Sequence, residues 1–200
     1  MRVLLVGDSM GVAMSLRHVP HAFVCGIVGA CNRPQYHEHL CAMAKKLDVP
    51  FLVQPLHTDP YYTSFMNAIR ETRPRLLLCN SYSLLIRDDF LSVSETAVNL
   101  HGGKLPEYRG ANPIQWSLIN GERTVGITLH AISATLDGGD VVGAESVNVS
   151  LLDTWRDVQR KLNKKGDALL ERYVPRLLAG TEKRKRQCSN QRPFHSTLEI

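Results

Sequence analysis

Apolar runs and helical patterns alternate along the first hundred residues of the chain. The runs that fit buried strands are residues 2–6, 22–28, 51–53, 75–79 and 96–100. The segments between them with helical apolar spacing are residues 11–18, 37–47 and 60–72. This β-α-β-α rhythm predicts an α/β fold, with a mostly parallel sheet and helices on both of its faces.

The pattern changes in the second half of the chain. Residues 101–111 hold three glycines and one proline, which predicts a loop at the end of a strand. Asn112 and Pro113 predict the start of a helix with an Asn cap, and Trp116 and Ile119 are expected on its buried side.

Two more strands and a long C-terminal helix complete the pattern. The strands are expected at residues 125–130 and 141–149. Ser150 and Asp153 have the spacing of a capping box and predict the start of the helix. The apolar positions that keep helical spacing along it are Trp155, Val158, Leu162, Leu169, Tyr173 and Leu177.

Composition narrows the class of protein. The chain has 200 residues, 44% of them hydrophobic and 22% charged, which excludes a wholly disordered or fibrous protein. Its apolar runs fall far short of the roughly 20 residues that span a bilayer. No signal-peptide cleavage site is recognisable, and the five cysteines are odd in number. We expect a cytoplasmic protein without a membrane segment, with one domain at residues 1–180 and a basic tail or small appendage at residues 181–200.

The formal net charge of +5 is concentrated near the C-terminus. Residues 156–186 contain 11 Lys and Arg against 4 Asp and Glu, whereas the remaining residues contain 13 against 15. The body of the chain is therefore slightly acidic, and we expect no nucleic-acid partner. The run at residues 183–186 fits a solvated tail, with contact to a pyrophosphate or to RNA as the alternative.

Two segments, a loop and a helix, resemble binding sites, but their residues fit such sites poorly. Gly7, Asp8 and Gly11 follow the first strand as a dinucleotide loop does, but a third glycine is missing and Asp8 stands where a pyrophosphate needs neutral donors. His37 and Cys41 share one face of a predicted helix, where at most two metal ligands converge. We therefore expect a plain turn at the first position and no metal site at the second.

Polar side chains with a shared chemistry lie between residues 99 and 141. Asn99 and His101 end a predicted strand on the same face, where ligands of open α/β sheets bind. His130 follows on the next strand, and Asp137 stands in a Leu-Asp-Gly-Gly turn. An amide and an imidazole can donate to an oxyanion, and a carboxylate can hold the imidazole protonated and collect a proton from an amine. These residue types fit acyl transfer to an amine, which needs no Ser or Cys nucleophile.

The residues around this set form a longer pattern. It comprises Asn-Leu-His at 99–101, Leu-Pro-Glu-Tyr-Arg-Gly at 105–110, Pro-Ile-Gln-Trp at 113–116 and Leu-Asp-Gly-Gly-Asp at 136–140. The pattern resembles the formyltransferases that use 10-formyltetrahydrofolate. The resemblance implies a Rossmann-like fold, Asn99, His101 and Asp137 as catalytic residues, 10-formyltetrahydrofolate as the formyl donor, and no metal.

The resemblance also implies a place for the folate. In the family, the main chain of two loops holds the pterin ring. The residues that match these loops by position are Tyr82, Leu84, Leu85, Ile86, Ser133 and Asp137. One departure lies where the amine substrate would bind. After the catalytic His most members have Ser-Leu-Leu-Pro, whereas this chain has Gly103 and Lys104 in place of the first two of these residues. This change leaves the triplet intact and alters the surface offered to the amine.

The acceptor amine separates three branches of the family. The methionyl-tRNA branch has a basic insertion after its second strand and a C-terminal barrel, for which we expect no room here. The glycinamide ribonucleotide branch has a phosphate cradle in its first loop, where Asp8 would repel a phosphate. We expect a small-molecule partner, the amine of a nucleotide-linked amino sugar, and a homodimer as one option. The alternatives are a methionyl-tRNA formyltransferase-like enzyme, hydrolysis of the donor, and a folate- or nucleotide-binding module without turnover.

Overall fold

The structure, a computed structural model, describes residues 1–187. Its strands are β1 (Val3–Gly7), β2 (Val24–Ala30), β3 (Phe51–Gln54), β4 (Leu76–Asn80), β5 (Thr96–His101), β6 (Thr124–Ala131) and β7 (Val141–Asn148). Its α-helices are α1 (Ser9–Leu16), α2 (His37–Leu47), α3 (Tyr62–Thr72), α4 (Asp88–Leu91), α5 (Pro113–Ile119) and α6 (Trp155–Ala179). The strands form one sheet in the order β3-β2-β1-β4-β5-β6-β7. The predicted α/β fold, with its mostly parallel sheet and long C-terminal helix, is confirmed.

The chain divides into two compact units, and the first is Met1–Val98. In this unit β1 pairs in parallel with β2 and β4, and β2 pairs in parallel with β3. Every residue of β1, β2 and β4 is buried, as in the continuous apolar strands of a covered parallel sheet. A Cβ on Gly7 or Gly11 would stand 2.1 or 2.2 Å from the carbonyl oxygen of Asn80. The turn after β1 therefore packs directly on β4, where a larger residue has no space.

The second unit begins at Asn99 and contains an antiparallel pair of strands and the longest helix. β6 and β7 pair along their length, with a shift of register between Leu129 and His130. α6 packs on both strands. The buried residues of α6 are Val158, Leu162, Gly166, Leu169, Leu170, Val174 and Leu177. This packing holds β6 and β7 in place up to the loop that joins them.

The start of α5 differs from the expected cap. Asn112 precedes the helix as predicted, but it adopts a φ of 53°, and its side chain caps no amide among residues 1–187. The predicted buried side is wrong, because Ile119 is 63% exposed and the buried residues are Ile114 and Ser117. A helix of seven residues has too few turns for apolar spacing to identify its inner face.

The start of α6 also differs from the prediction. Thr154 caps the helix and forms a capping box with Asp157. The Asp153 carboxylate instead accepts a hydrogen bond from the Ser150 amide in the preceding turn. Both pairs have the same hydroxyl-x-x-Asp spacing, so the local sequence does not distinguish them. Trp155 consequently lies in the first turn and is 45% exposed rather than buried.

Two smaller differences concern short segments of the first unit. Residues 21–23 form a 3₁₀ turn, so that β2 begins at Val24 rather than at residue 22. The four-residue helix α4 has no counterpart among the predicted elements. Both segments are too short for an apolar period to develop.

A short segment after α6 returns to the sheet. Gly180 ends the helix with a φ of 66°, and Lys185 then pairs with Val141 through two backbone hydrogen bonds of 2.7 and 2.8 Å. The basic residues 183–186 are thus tied to β7 by their main chain. The rest of the predicted tail, residues 188–200, lies outside the described residues. Among residues 1–187, no helix is both long enough and apolar enough to cross a membrane.

Candidate active site

The candidate active site lies in the second unit, at the end of β5. Asn99 and His101 belong to the last three residues of this strand, and Asp137 lies in the loop between β6 and β7. His101 is buried, with 8% of its surface exposed. The predicted side chains therefore come from one strand end and one loop within a single compact unit.

The His101 imidazole is hydrogen-bonded through Nε2, and its Nδ1 faces a carboxylate. Nε2 lies 2.7 Å from the Tyr108 carbonyl oxygen, and because a carbonyl accepts only, Nε2–H is the donor. Nδ1 lies 3.6 Å from Asp137 Oδ2. A Cβ on Gly103 would stand 2.7 Å from both His101 Nε2 and the Tyr108 oxygen. The ring thus occupies space that the absence of a side chain at Gly103 leaves open.

The Asp137 carboxylate faces two imidazoles from a tight turn. Asp137 has a φ of 48°, in the left-handed region. Its Oδ2 accepts a hydrogen bond of 2.9 Å from the Gly110 amide, and its Oδ1 lies 3.6 Å from His130 Nε2. Only 10% of the side chain is exposed, so water solvates this carboxylate poorly. A buried carboxylate beside imidazoles is well suited to accept and pass on a proton.

His130 is buried beside the same carboxylate. Burial, which Asp137 offsets only in part, lowers the pKa of His130 to about 4, so the ring is neutral near pH 7. Nδ1 lies 2.8 Å from the Ala131 carbonyl oxygen and must be the protonated nitrogen. Nε2 therefore carries the lone pair and accepts from the Asn99 amide nitrogen, 3.3 Å away. This contact orients the amide group of Asn99.

The structure brings the three predicted residues together and adds His130 as their common neighbour. The ring centroids of His101 and His130 are 6.1 Å apart, edge to face. Sequence reasoning placed His130 on the next strand and gave it no role, although strand alternation already put its side chain in the sheet interior. The arrangement can donate hydrogen bonds to a developing oxyanion and receive a proton beside it.

The predicted folate residues fall in both units, each of which is described by itself. In the first unit, the Tyr82 hydroxyl donates to Gln54 Oε1 at 2.8 Å, and Gln54 Nε2 donates to the Leu85 carbonyl oxygen at 3.3 Å. Ile86 is buried, whereas Leu85 is 58% exposed. In the second unit, Ser133 donates to a backbone carbonyl of its own loop. Their assignment to folate stays a prediction.

Asp8 closes the turn after β1 in the first unit. Its Oδ1 accepts a hydrogen bond of 2.7 Å from the Gly11 amide and caps α1. Burial raises the pKa of this carboxyl group. Asp8 also lines a small cleft together with Arg33, Tyr36 and Tyr82. The N-terminus of α1 is therefore already occupied by a carboxylate of the chain itself.

Within the described part of the chain, no group of three or more His, Cys, Asp and Glu side chains is arranged to hold a metal ion. This part includes His37 and Cys41, the pair singled out from the sequence. His37 Nε2 instead lies 2.9 Å from the Ala30 carbonyl oxygen, which ties the start of α2 to the end of β2.

Comparison with known proteins gives one family and several similar structures. The sequence profile of the family described as formyl transferase matches residues 44–174. Glycinamide ribonucleotide transformylase 1 from Symbiobacterium toebii is 20% identical, with a TM-score of 0.77 over 90% of this chain and 88% of that one. An N-formyltransferase from Helicobacter canadensis, in complex with folinic acid and dTDP-3-aminofucose, is 18% identical, with a TM-score of 0.79 over 98% and 71%. A formyltetrahydrofolate deformylase from Pseudomonas syringae pv. tomato is 20% identical, with a TM-score of 0.75 over 90% and 61%.

Proposed function

The chain belongs to the formyl transferase family, and we propose that it transfers a formyl group from 10-formyltetrahydrofolate to a primary amine. The observation that carries the proposal is the meeting of Asn99, His101 and Asp137, with the Asp137 carboxylate 3.6 Å from His101 Nδ1. Two similar structures support a folate donor, since one is a complex with folinic acid and the other is a formyltetrahydrofolate deformylase.

The proposed reaction assigns one task to each side chain. The amine nitrogen attacks the formyl carbon, and the electron pair of the carbonyl moves onto oxygen. The Asn99 amide and the His101 imidazole donate hydrogen bonds to this oxyanion. Asp137 takes the proton that the amine nitrogen loses. When the oxyanion collapses, the bond from the formyl carbon to N10 of the folate breaks, and N10 takes the electron pair and a proton from His101 Nδ1. The proton that Asp137 took from the amine then passes to His101 Nδ1, 3.6 Å away. This leaves a formamide and tetrahydrofolate and restores both side chains.

We propose that the amine belongs to a nucleotide-linked amino sugar. Asp8 supports this choice over glycinamide ribonucleotide, because a carboxylate already caps α1 where a phosphate would bind. The short connection between β2 and α2 supports an amino sugar over a charged tRNA as the acceptor. Only six residues separate the two elements, which leaves no place there for a basic insertion. The Helicobacter structure with dTDP-3-aminofucose is a further support.

The experiment is a direct assay of the product. The full chain is incubated with 10-formyltetrahydrofolate and, in separate reactions, a panel of amino-sugar nucleotides, glycinamide ribonucleotide and charged initiator tRNA. Mass spectrometry of the acceptor then detects the added formyl group. We expect formylation of at least one amino-sugar nucleotide and none of the other two acceptors.

Two controls separate the alternatives. A reaction without amine, assayed for formate, separates hydrolysis of the donor from transfer. His101→Ala removes the proposed proton donor and should abolish the product; the same yield from this variant would refute the assignment of His101. Formylation of glycinamide ribonucleotide or tRNA alone would overturn the acceptor and leave the reaction class in place.

A further inference from the structure

A buried glutamine from the C-terminal segment lies against the turn that carries Asp137. The Gln187 side-chain nitrogen donates to the backbone carbonyl oxygens of Asp137 and Gly139, at 2.9 and 2.6 Å. Its side-chain oxygen accepts from Nε and Nη2 of Arg109, at 3.2 and 2.7 Å. Gln187 is 8% exposed. Both amide hydrogens and the oxygen thus take part in hydrogen bonds, so every hydrogen-bonding group of this side chain has a partner.

These bonds close a ring that includes the carboxylate of Asp137. Arg109 binds Gln187 through its side chain, and the next residue, Gly110, donates its amide to Asp137 Oδ2 at 2.9 Å. Gln187 in turn donates to the main-chain carbonyl oxygen of Asp137, which closes this ring of contacts. The loop after β5 and the loop after β6 are therefore joined twice, directly at the Asp137 carboxylate and through Gln187 at the main chain of the turn.

The turn that Gln187 holds has an uncommon backbone. Asp137 has a φ of 48°, which an aspartate adopts at some cost unless its surroundings hold it there. Gly139 approaches so closely that a Cβ would stand 2.0 Å from the Ala131 carbonyl oxygen. Two hydrogen bonds from one amide to residues 137 and 139 span this turn and oppose its relaxation.

The segment that carries Gln187 is anchored independently of the side chain. Lys185 and Val141 exchange two backbone hydrogen bonds of 2.7 and 2.8 Å, two residues before Gln187. The Lys185 side chain itself is exposed. The position of Gln187 is thus fixed by main-chain pairing with β7, and its side chain is free to act on the turn.

We propose that Gln187 is a positioning residue for formyl transfer, which holds the turn of Asp137 so that its carboxylate faces His101 and His130. The inference rests on the proposed function. Gln187 acts through Asp137, 3.6 Å from each imidazole, and a displacement of about 1 Å there would misplace the proton acceptor. Loss of this contact should lower kcat more than it raises KM for the amine, because the displaced carboxylate no longer meets the amine proton. KM for the donor should rise as well, since Ser133 and Asp137 are predicted folate residues.

The test compares Gln187→Ala with Lys185→Ala in the full chain. For Gln187→Ala we expect kcat to fall by about tenfold to a hundredfold, with KM for the amine within about twofold of wild type. Hydrogen exchange of the peptide that covers residues 132–140 should accelerate in the same variant. Lys185→Ala removes an exposed side chain and keeps the backbone pairing, so it should match wild type in both measurements.

A second variant separates the two halves of the contact. Gln187→Glu keeps an acceptor for Arg109 and loses both donations to the turn, so its kcat and exchange rate should resemble those of Gln187→Ala. Wild-type kcat in either variant, or wild-type exchange at residues 132–140, would overturn the inference. If the wild type itself formylates no acceptor, the proposed function fails, whereas faster exchange in the variants would still support the clamp on the turn.

Discussion

Two aspartates, one in each unit, lie in turns that follow a strand and differ in what their carboxylates face. Asp8 follows β1, and its Oδ1 accepts 2.7 Å from the Gly11 amide of the helix that begins there. Asp137 lies after β6, and besides the Gly110 amide its carboxylate meets two imidazole nitrogens at 3.6 Å. Asp8 serves its own helix, whereas Asp137 faces groups from other segments that can exchange protons.

The difference shows that an acidic residue after a strand is informative only through its partners. A carboxylate that caps a helix has its acceptor capacity directed at backbone amides, which have no proton to exchange near neutral pH. A carboxylate beside imidazoles has partners that can give or take a proton. The comparison predicts that the same substitution lowers activity strongly at Asp137 and hardly at Asp8.

Of the substitutions that test this comparison, Asp137→Asn should have the largest effect. Asn tolerates the left-handed backbone and can still accept from the Gly110 amide, but it cannot take a proton. We expect kcat for formyl transfer to fall about a thousandfold. Asp8→Asn, its counterpart in the first unit, should stay within about twofold of wild type, since Asn caps helices as well as Asp.

Steady-state assays of both variants, with thermal unfolding to confirm folding, check this pair. Similar losses of kcat in the two variants would contradict the distinction between a capping and a reacting carboxylate. A loss confined to KM for the donor in Asp137→Asn would count against its role in proton transfer.

The sequence was most informative where structure depends on neighbours along the chain. The bounds of α2 were predicted as residues 37–47, because a single amphipathic period runs through them. Strand alternation also predicted that Asn99 and His101 share a face. The helix α4 was not predicted, because four residues are too few to show the apolar spacing of a helix.

The site depends on contacts that no local pattern contains. The neutral state of His130 follows from burial, which lowers the pKa, and burial depends on the packing of the whole unit. Gln187 reaches Asp137 and Gly139 from about fifty residues away, and only because Lys185 pairs with Val141. Such contacts are set by tertiary structure, so the family resemblance predicts the triplet, whereas no pattern in the sequence identifies what holds it.

Two adjacent glycines in the loop after β5 test the other partner in the contact of Asp137, the His101 imidazole. A Cβ on Gly103 would lie 2.7 Å from His101 Nε2, whereas a Cβ on Gly102 would meet nothing closer than 3.9 Å. Gly103→Ala should therefore displace the imidazole from its bond to the Tyr108 carbonyl and lower kcat about a hundredfold. Gly102→Ala is the matched control and should stay within about twofold.

Product formation over time and thermal unfolding of the two glycine variants are the measurements. If Gly103→Ala turned over at the wild-type rate while folded, the fixed orientation of His101 would not be needed for the reaction. Equal losses in both variants would indicate that any side chain in this loop is harmful, and the specific contact with His101 would lose its support.

The smallest predicted effect concerns pH and the stability of the second unit. The pKa of His130 is about 4 in the folded chain, against about 6.5 for an unfolded histidine. The unfolded state therefore binds a proton first as the pH falls, and stability that is complete above about pH 6.5 is lost progressively toward pH 4. Between pH 7 and pH 5 this histidine should account for a loss of about 2 kcal/mol in the free energy of unfolding.

Urea unfolding at pH 7 and pH 5 measures this loss for wild type and His130→Gln. The variant lacks the titrating ring, so its free energy of unfolding should depend less on pH by about 2 kcal/mol, whatever its stability at pH 7. His39→Gln, on the exposed face of α2 in the first unit, is the control and should keep the wild-type dependence. The same pH dependence in His130→Gln as in wild type would mean that His130 is not held neutral, and the hydrogen bond through which it orients Asn99 would then need the opposite donor.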